Sequence, residues 1–314
     1  MKWGRSQTIE AAADPLPSTE ALDVLVAGIF DYAGMFPPAS LELDAAIWES
    51  ARSPRLRRPH LVGADLVVSL DDLARLDEER LRMAGFGDTE ARLAVVGVDV
   101  AQLPQATMAV SRKNEELAGV VRIVSLETHG INLPGTGLRD AAAALPDTRI
   151  YIEPRMPDSA WERNGPGIFR LLDRLASNDA TVGLKVRGSG QTAVSAATLG
   201  QILPQVVAEE VPFKATAGLH HPVVEAQYGN ALGFLGLAAA LRLRGFLKEA
   251  MPPEAIAQCV AETDPKAFAF DGGLAWRGHA VPVAALREAV RMRPFAIGSC
   301  SLREPDDDLA RLFG

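Results

Sequence analysis

Cysteine, lysine and long apolar runs are all scarce in this chain of 314 residues. Two cysteines, Cys259 and Cys300, cannot build a disulfide framework, so we expect reduced thiols and a cytoplasmic location. No stretch of about 18 uncharged apolar residues is present, which argues against a membrane-spanning helix. Residues 1–17 lack the apolar core of a secretory signal and are predicted to form a flexible tail.

The charged residues exclude further classes of protein. The formal net charge is -8, whereas a general nucleic-acid binder needs a basic face. Arginine outnumbers lysine by 26 to 6. A lysine that is kept in such an arginine-rich chain is of interest, because its amine can shift its pKa and form covalent bonds, which a guanidinium cannot do.

Apolar runs rich in β-branched residues alternate with amphipathic segments, about 30 residues apart, which is typical of βα units. A (β/α)8 TIM-type barrel is therefore predicted, and an open doubly wound sheet is the alternative. The alternative is weakened because no Gly-x-Gly-x-x-Gly follows the first strand. Predicted strands occupy 61–69, 93–98, 120–126, 149–153, 182–187, 212–216 and 295–299; the predicted helices occupy 71–83, 101–117, 138–145, 166–176 and 193–209.

The eighth strand and the domain limits are less clear from the pattern. Residues 24–31 fit either a strand or a helix. Residues 18–314 are predicted to form a single barrel domain, with an insertion at about 245–280 that carries a hairpin around Asp271-Gly272-Gly273. A basic run is interpreted as a solvated loop or as a subunit contact in a homo-oligomer; it comprises Arg52, Arg55, Arg57 and Arg58.

Catalytic residues of such barrels lie at the carboxyl ends of the strands. Polar residues collect there in this sequence, and strand alternation places Lys185 on one face with Arg187, and Lys214 on one face with Thr216. If the bulky apolar neighbours face the helices, the charged side chains line the mouth of the barrel. The predicted catalytic residues are Lys214, Lys185, Glu153, His220 and Asp31. A purely structural network of ions inside the barrel remains the alternative.

A small anionic substrate is the expected partner. Gly188-Ser189-Gly190 is predicted to open onto a helix near Gln191, and backbone N–H groups at a helix start attract anions. Arg187 and Arg155 add bidentate contacts. Other residues predicted to contact the substrate are Thr216, Tyr32 and Ser299. Cys300 is interpreted as structural, because the sequence identifies no base near it.

The segment Phe213-Lys214-Ala215-Thr216-Ala217-Gly218 resembles the Schiff-base strand of class I aldolases of the deoxyribose-phosphate aldolase type. This resemblance implies a carbon–carbon lyase in which Lys214 forms an imine and Lys185 lowers its pKa by like-charge repulsion. The second lysine of those aldolases follows the nucleophile, whereas Lys185 precedes it. Three blocks also resemble an uncharacterised bacterial protein family, which implies no activity: 31–38, 214–222 and 298–301.

Three functions stay open from the sequence. The first is the aldolase-like lyase without a cofactor, in which Lys214 acts by imine formation, proton transfer or anion binding. The second is a hydrolase or isomerase that holds a divalent metal with His220, His221, Glu153 and Asp271. The third is a barrel that binds a ligand without catalysis.

Overall fold

Eight parallel strands close into a barrel, which confirms the predicted (β/α)8 fold. A computed structural model describes residues 20–52, 62–86, 90–130, 135–176, 182–246, 251–292 and 295–313. The predicted tail (1–17) and residues 55–58 of the basic run lie outside these ranges. The barrel strands, in chain order, are β1 (Phe30–Tyr32), β2 (Val62–Ser69), β3 (Ala91–Asp99), β4 (Val121–Gly130), β5 (Arg149–Pro154), β6 (Val182–Arg187), β7 (Phe213–Thr216) and, after the insertion, β11 (Phe295–Ser299).

Helices surround the barrel and bury their apolar sides against it. In α7, for example, Ile168, Phe169 and Leu172 are buried while the polar residues of the same helix face outwards. Among the described residues, no helix has both the length and the apolar character that a membrane span requires. The helices are α1 (Glu20–Val26), α2 (Leu43–Ser50), α3 (Leu70–Arg75), α4 (Glu78–Ala84), α5 (Leu103–Glu116), α6 (Gly135–Ala144), α7 (Trp161–Ala176), α8 (Ala196–Ala208), α9 (Phe234–Phe246), α10 (Pro253–Val260), α11 (Val283–Met292) and α12 (Arg303–Phe313).

The order of strands around the barrel decides which side chains meet inside it. Strand β1 pairs with β2 and with β11, and the circle continues through β7, β6, β5, β4 and β3. Lys185 and Lys214 are direct register partners on β6 and β7. Strand β4 lies on the far side of β5 from β6, so a side chain from β4 reaches these lysines only across the interior.

Several predicted boundaries differ from the structure. The ambiguous stretch 24–31 holds the end of α1 and most of the three-residue strand β1. Strand β4 continues to Gly130, although the prediction ended it at residue 126, because Glu127 and Thr128 are buried in the sheet and continue its pairing with β5. The predicted helix 71–83 is two helices, since the Asp77 carboxylate accepts the Arg80 N–H at 2.8 Å and begins α4.

The insertion contains the predicted hairpin. Strand β8 (Phe268–Ala269) pairs antiparallel with β9 (Gly273–Trp276) around Asp271-Gly272. A third strand, β10 (His279–Pro282), which the sequence analysis did not predict, pairs with β9. Trp276, the last residue of β9, is buried, and its indole N–H donates to Glu262 at 2.9 Å.

Candidate active site

Five charged side chains lie inside the barrel, and each comes from a different strand. They are all buried: Asp31 (β1), Glu127 (β4), Glu153 (β5), Lys185 (β6) and Lys214 (β7). Alternation along the strands explains their direction, because Leu184 and Val186 on either side of Lys185 belong to the apolar core. These five charged side chains therefore point into the barrel, as strand alternation predicts.

The five side chains form one connected set of ion pairs, here called the ion-pair network. Lys185 Nζ lies 2.7 Å from Glu127 Oε2 and 2.9 Å from Glu153 Oε2. Lys214 Nζ lies 2.5 Å from Glu127 Oε1 and also pairs with the Asp31 carboxylate. Glu127 thus bridges the two lysines from β4, a strand that is adjacent to neither β6 nor β7.

The network keeps Lys214 protonated. Burial alone lowers the pKa of Lys214, but the charges of Asp31 and Glu127 outweigh burial and raise this pKa above its ordinary value. The expectation that Lys185 lowers the pKa of Lys214 is therefore wrong. The physical reason is that Glu127 stands between the two ammonium groups and neutralises their repulsion.

The two carboxylates beside Lys214 differ from each other. Burial raises the pKa of Glu127, but Lys185 and Lys214 outweigh it and bring the pKa to about 2. Burial raises the pKa of Asp31 to about 6, and the charge of Lys214 offsets only part of that effect. At neutral pH both carboxylates are ionised, and Asp31 is the member that protonates first as the pH falls.

A cavity of about 330 Å³ opens above the network at the carboxyl ends of the strands, here called the mouth cavity. One wall is apolar and includes Phe36 and Pro37 from the predicted early block. The other wall is charged. The predicted residues that line the cavity are Lys214, Lys185, Glu153, Arg187, Arg155, Thr216 and His220.

Two arginines give the charged wall a positive excess. Arg187 and Arg155 lie 3.7 Å and 3.8 Å from Glu153 Oε1. That oxygen is buried and accepts no hydrogen bond from the described residues. The two lysines and three carboxylates of the network carry one net negative charge. The two arginines bring the total to one net positive charge. The wall therefore favours an anion and also presents a carboxylate oxygen able to accept a proton.

His220 places a third kind of group at the mouth. Its Nδ1 lies 3.2 Å from Ser299 Oγ and 3.9 Å from Cys300 Sγ. Burial lowers the pKa of His220, although Glu304 acts in the opposite direction, so the imidazole is neutral at pH 7. The sequence identified no base near Cys300, and the structure corrects this. Burial nevertheless raises the pKa of the Cys300 thiol, which keeps it protonated.

Besides the glycine-rich loop, three of the predicted catalytic and substrate-contacting residues lie outside the mouth cavity. The Tyr32 hydroxyl is fully buried and donates to Glu49 on α2 at 2.7 Å. Ser299 is equally buried and donates to the Ser301 carbonyl at 2.6 Å. Both hydroxyls have partners inside the protein, and neither residue lines the mouth cavity. Asp31 lies below Lys214 and lines a separate cavity at the amino ends of the strands, so its link to the mouth is its ion pair with Lys214.

The predicted glycine-rich anion loop is also corrected. Helix α8 begins at Ala196 rather than near Gln191, and Ser189 and Gly190 are exposed. The Ser195 N–H at the start of this helix already donates to Asp158 at 2.7 Å. Gly188 has a packing role instead, because a Cβ there would lie 2.7 Å from the Ala217 carbonyl oxygen.

The four residues considered for a metal do not converge. His221 turns away from the mouth. Its Nδ1 lies 2.6 Å from Asp308, and its ring stacks on Tyr228. Asp271 is exposed in the insertion. Within the described ranges, no group of three or more His, Cys, Asp or Glu side chains is placed to hold a metal ion. The set of His220, His221, Glu153 and Asp271 therefore does not fit one.

Glu127 is the central residue of the network that is not among the catalytic residues predicted from the sequence. Ending the third predicted strand at residue 126 placed Glu127 in a loop. The available signal was the period of two that continues through Ser125, Glu127 and His129. A carboxylate at an inward position of a continuing strand indicates a buried partner of opposite charge.

Comparisons with known proteins do not assign this site to a family. A scan against protein-family models found no match, and a search of curated proteins found no match either. The functional argument therefore depends on the geometry of the mouth.

Proposed function

We propose that this protein is a carbon–carbon lyase that acts on a small anionic carbonyl compound. The observation that carries the proposal is the pair of buried lysines beneath a cavity whose rim holds Arg187 and Arg155. Buried ammonium groups that face a cavity can stabilise negative charge as it develops on an oxygen, and such stabilisation is often the largest contribution to catalysis.

The rim supports binding of the anionic end. Arg187 and Arg155 offer bidentate donors to a carboxylate or phosphate. Neither arginine has to give up a hydrogen bond to Glu153 when it binds an anion, because each lies beyond hydrogen-bond distance of that carboxylate. The apolar wall formed by Phe36, Val67 and Val96 covers a short carbon chain. A substrate of this shape places its carbonyl above the lysines.

The chemistry follows from the remaining groups. For a β-hydroxy carbonyl substrate, Glu153 Oε1 accepts the hydroxyl proton as the carbon–carbon bond breaks. The bonding electrons move to the carbonyl oxygen, where the Lys214 ammonium stabilises the enolate. The proton that Glu153 has taken up then passes to the enolate carbon, which restores the Glu153 carboxylate. The products are two carbonyl compounds, and the reverse sequence forms the bond.

An imine on Lys214 is the less favoured version of the same function. A nucleophilic amine must first lose a proton, and the raised pKa of Lys214 opposes that loss. Proton transfer and charge stabilisation use Lys214 as an ammonium ion, which is the form that Asp31 and Glu127 stabilise. We therefore favour the ammonium version over the Schiff base that the aldolase resemblance implies.

Proton exchange tests the proposal before the natural substrate is known. The protein is incubated in D2O with a panel of 2-oxo acids and β-hydroxy oxo acids, and 1H NMR follows exchange next to the carbonyl and cleavage. We expect exchange or cleavage for at least one compound and about a hundredfold loss or more in Lys214→Met. Lys113→Met is the matched control, because Lys113 is also buried but donates to the Leu76 carbonyl far from the mouth.

Borohydride trapping separates the two versions. Reduction during turnover, followed by peptide mass spectrometry, should leave Lys214 unmodified; a substrate adduct on Lys214 would support the imine instead. Binding of the panel at the mouth without exchange or cleavage of any compound would favour the ligand-binding barrel and overturn the lyase.

A further inference from the structure

A second basic cavity, here called the arginine groove, adjoins the mouth. It has a volume of about 490 Å³ and lies between the ends of β4 and β5 and one face of α7. The described residues that line it include three arginines and no carboxylate: Gly130, Pro154, Arg155, Met156, Arg163, Asn164, Gly167, Ile168, Arg170 and Leu171. No acidic side chain in this lining therefore neutralises the charge of the three arginines.

Arg155 lines both cavities, so the groove and the mouth adjoin at this residue. Its backbone is fixed there, because the Arg155 N–H donates to the Gly130 carbonyl at 3.2 Å. The Arg155 side chain is about half exposed and lies 3.8 Å from Glu153. It can therefore contact a ligand that extends from one cavity into the other.

Helix α7 contributes the other two arginines from one face. Arg163 and Arg170 are seven residues apart, which places them on the same side of the helix about 10.5 Å apart along its axis. Within the described ranges, neither has a carboxylate partner. Gly167 lies between them and leaves the floor open, because a Cβ there would contact only the end of the Arg170 side chain at 3.8 Å.

We infer that the arginine groove binds a second anionic group of the substrate. This inference rests on the proposed function, in which the mouth holds the carbonyl and one anionic end. It names the substrate class as carbonyl compounds with two anionic groups, the second being a phosphate or a carboxylate. Guanidinium groups suit both, since they donate paired hydrogen bonds to either group of oxygens.

Matched ligand pairs test the inference by isothermal titration calorimetry. Phosphohydroxypyruvate is compared with hydroxypyruvate, and 2-oxoglutarate with 2-oxobutanoate, so the two arms distinguish a phosphate from a carboxylate. We expect the second anion to tighten binding about tenfold or more in at least one arm. Arg163→Gln/Arg170→Gln should remove that gain without changing the affinity for the ligand with one anionic group.

Two further variants make the test specific. Gly167→Leu fills the groove at a partly exposed helical position, where leucine has a higher helix propensity than glycine, so it should remove the gain while the protein stays folded. Arg112→Gln/Arg139→Gln removes two exposed arginines from α5 and α6 and should leave the gain intact. An equal gain in all four proteins, or no gain in the unsubstituted protein, would overturn the inference.

The outcomes also separate this inference from the proposed function. If ligands with one anionic group bind and undergo exchange but the second anion adds nothing, the groove inference fails and the lyase stands. If no oxo acid binds, the proposed function fails, and titration with inorganic phosphate decides the groove alone. Phosphate binding that Arg163→Gln/Arg170→Gln abolishes would support an anion site, whereas no phosphate binding would overturn it.

Discussion

Replacing Lys214 by methionine should destabilise the protein in a way that depends on pH. The substitution keeps an unbranched side chain of similar length but removes the cation between Asp31 and Glu127. Glu127 keeps Lys185 at 2.7 Å, whereas Asp31 loses the cation with which it pairs in the network. Removing one partner of a buried ion pair costs about 3–5 kcal/mol, and we expect a loss of that size at pH 8.

The pH dependence comes from Asp31. Its folded pKa of about 6 exceeds the unfolded value of 3.8, so the folded protein binds the extra proton, and this group makes stability fall as the pH rises from about 4 to 6. Without Lys214 the pKa of Asp31 in the folded protein rises further. The free energy of unfolding then continues to fall above pH 6, at up to about 1.4 kcal/mol per pH unit. The cost of Lys214→Met should therefore be about 1–2 kcal/mol at pH 5.5, where Asp31 takes up a proton, and should grow towards pH 8.

Urea unfolding followed by circular dichroism between pH 5.5 and 8 measures this difference. Lys214→Met/Asp31→Asn should lose the extra decline above pH 6, because the titrating group is gone. Lys113→Met gives the cost of removing a buried lysine elsewhere and should not reproduce the slope. The reasoning fails if Lys214→Met is as stable as the unsubstituted protein, or if its cost is the same at both ends of the pH range.

Four smaller predictions test other parts of the account. Tyr32→Phe should cost about 1–2 kcal/mol in urea unfolding, through the lost bond to Glu49, and leave ligand affinity unchanged; a loss of affinity would return Tyr32 to the site. Gly188→Ala should lower the free energy of unfolding by about 1–3 kcal/mol through contact with the Ala217 carbonyl, and an unchanged urea midpoint would refute the packing role of Gly188. The exchange rate should fall below pH 6, because protonation of Asp31 removes one of the two carboxylates that position the Lys214 ammonium group, and Asp31→Asn should lack this step. Dialysis against EDTA should leave the exchange rate unchanged, and a loss restored by a divalent metal would favour the metal enzyme.

Much of the barrel could be predicted from local sequence because its strands are buried on both faces. Such strands appear as short apolar runs between amphipathic helices, and the bounds of β6 and β11 matched the prediction. Strand β1 was ambiguous since three residues carry little periodic signal and an apolar helix precedes it. Strand β4 was cut short because Glu127 interrupts the apolar run, although its charge is neutralised inside the barrel.

The site was predicted in its residue types but only partly in its contacts. A period of two shows that Lys185 and Lys214 face inwards, because direction is a local property of a strand. Their partners are not local: Glu127 lies on β4, which is adjacent to neither lysine strand, and Asp31 lies far away in the chain. For the same reason the sequence could not show that His221 pairs with Asp308 while His220 stays at the mouth.

The protonation state of Lys214 is the central claim, and lysine side-chain NMR measures it directly. With 6 lysines in the chain, a sample labelled with 13C at lysine Cε gives a simple spectrum, and Lys214→Arg assigns the signal. The account predicts that the Lys214 signal keeps the shift of an ammonium group from pH 6 to pH 10.5. A titration of that signal near neutral pH would contradict it and would favour the imine-forming amine.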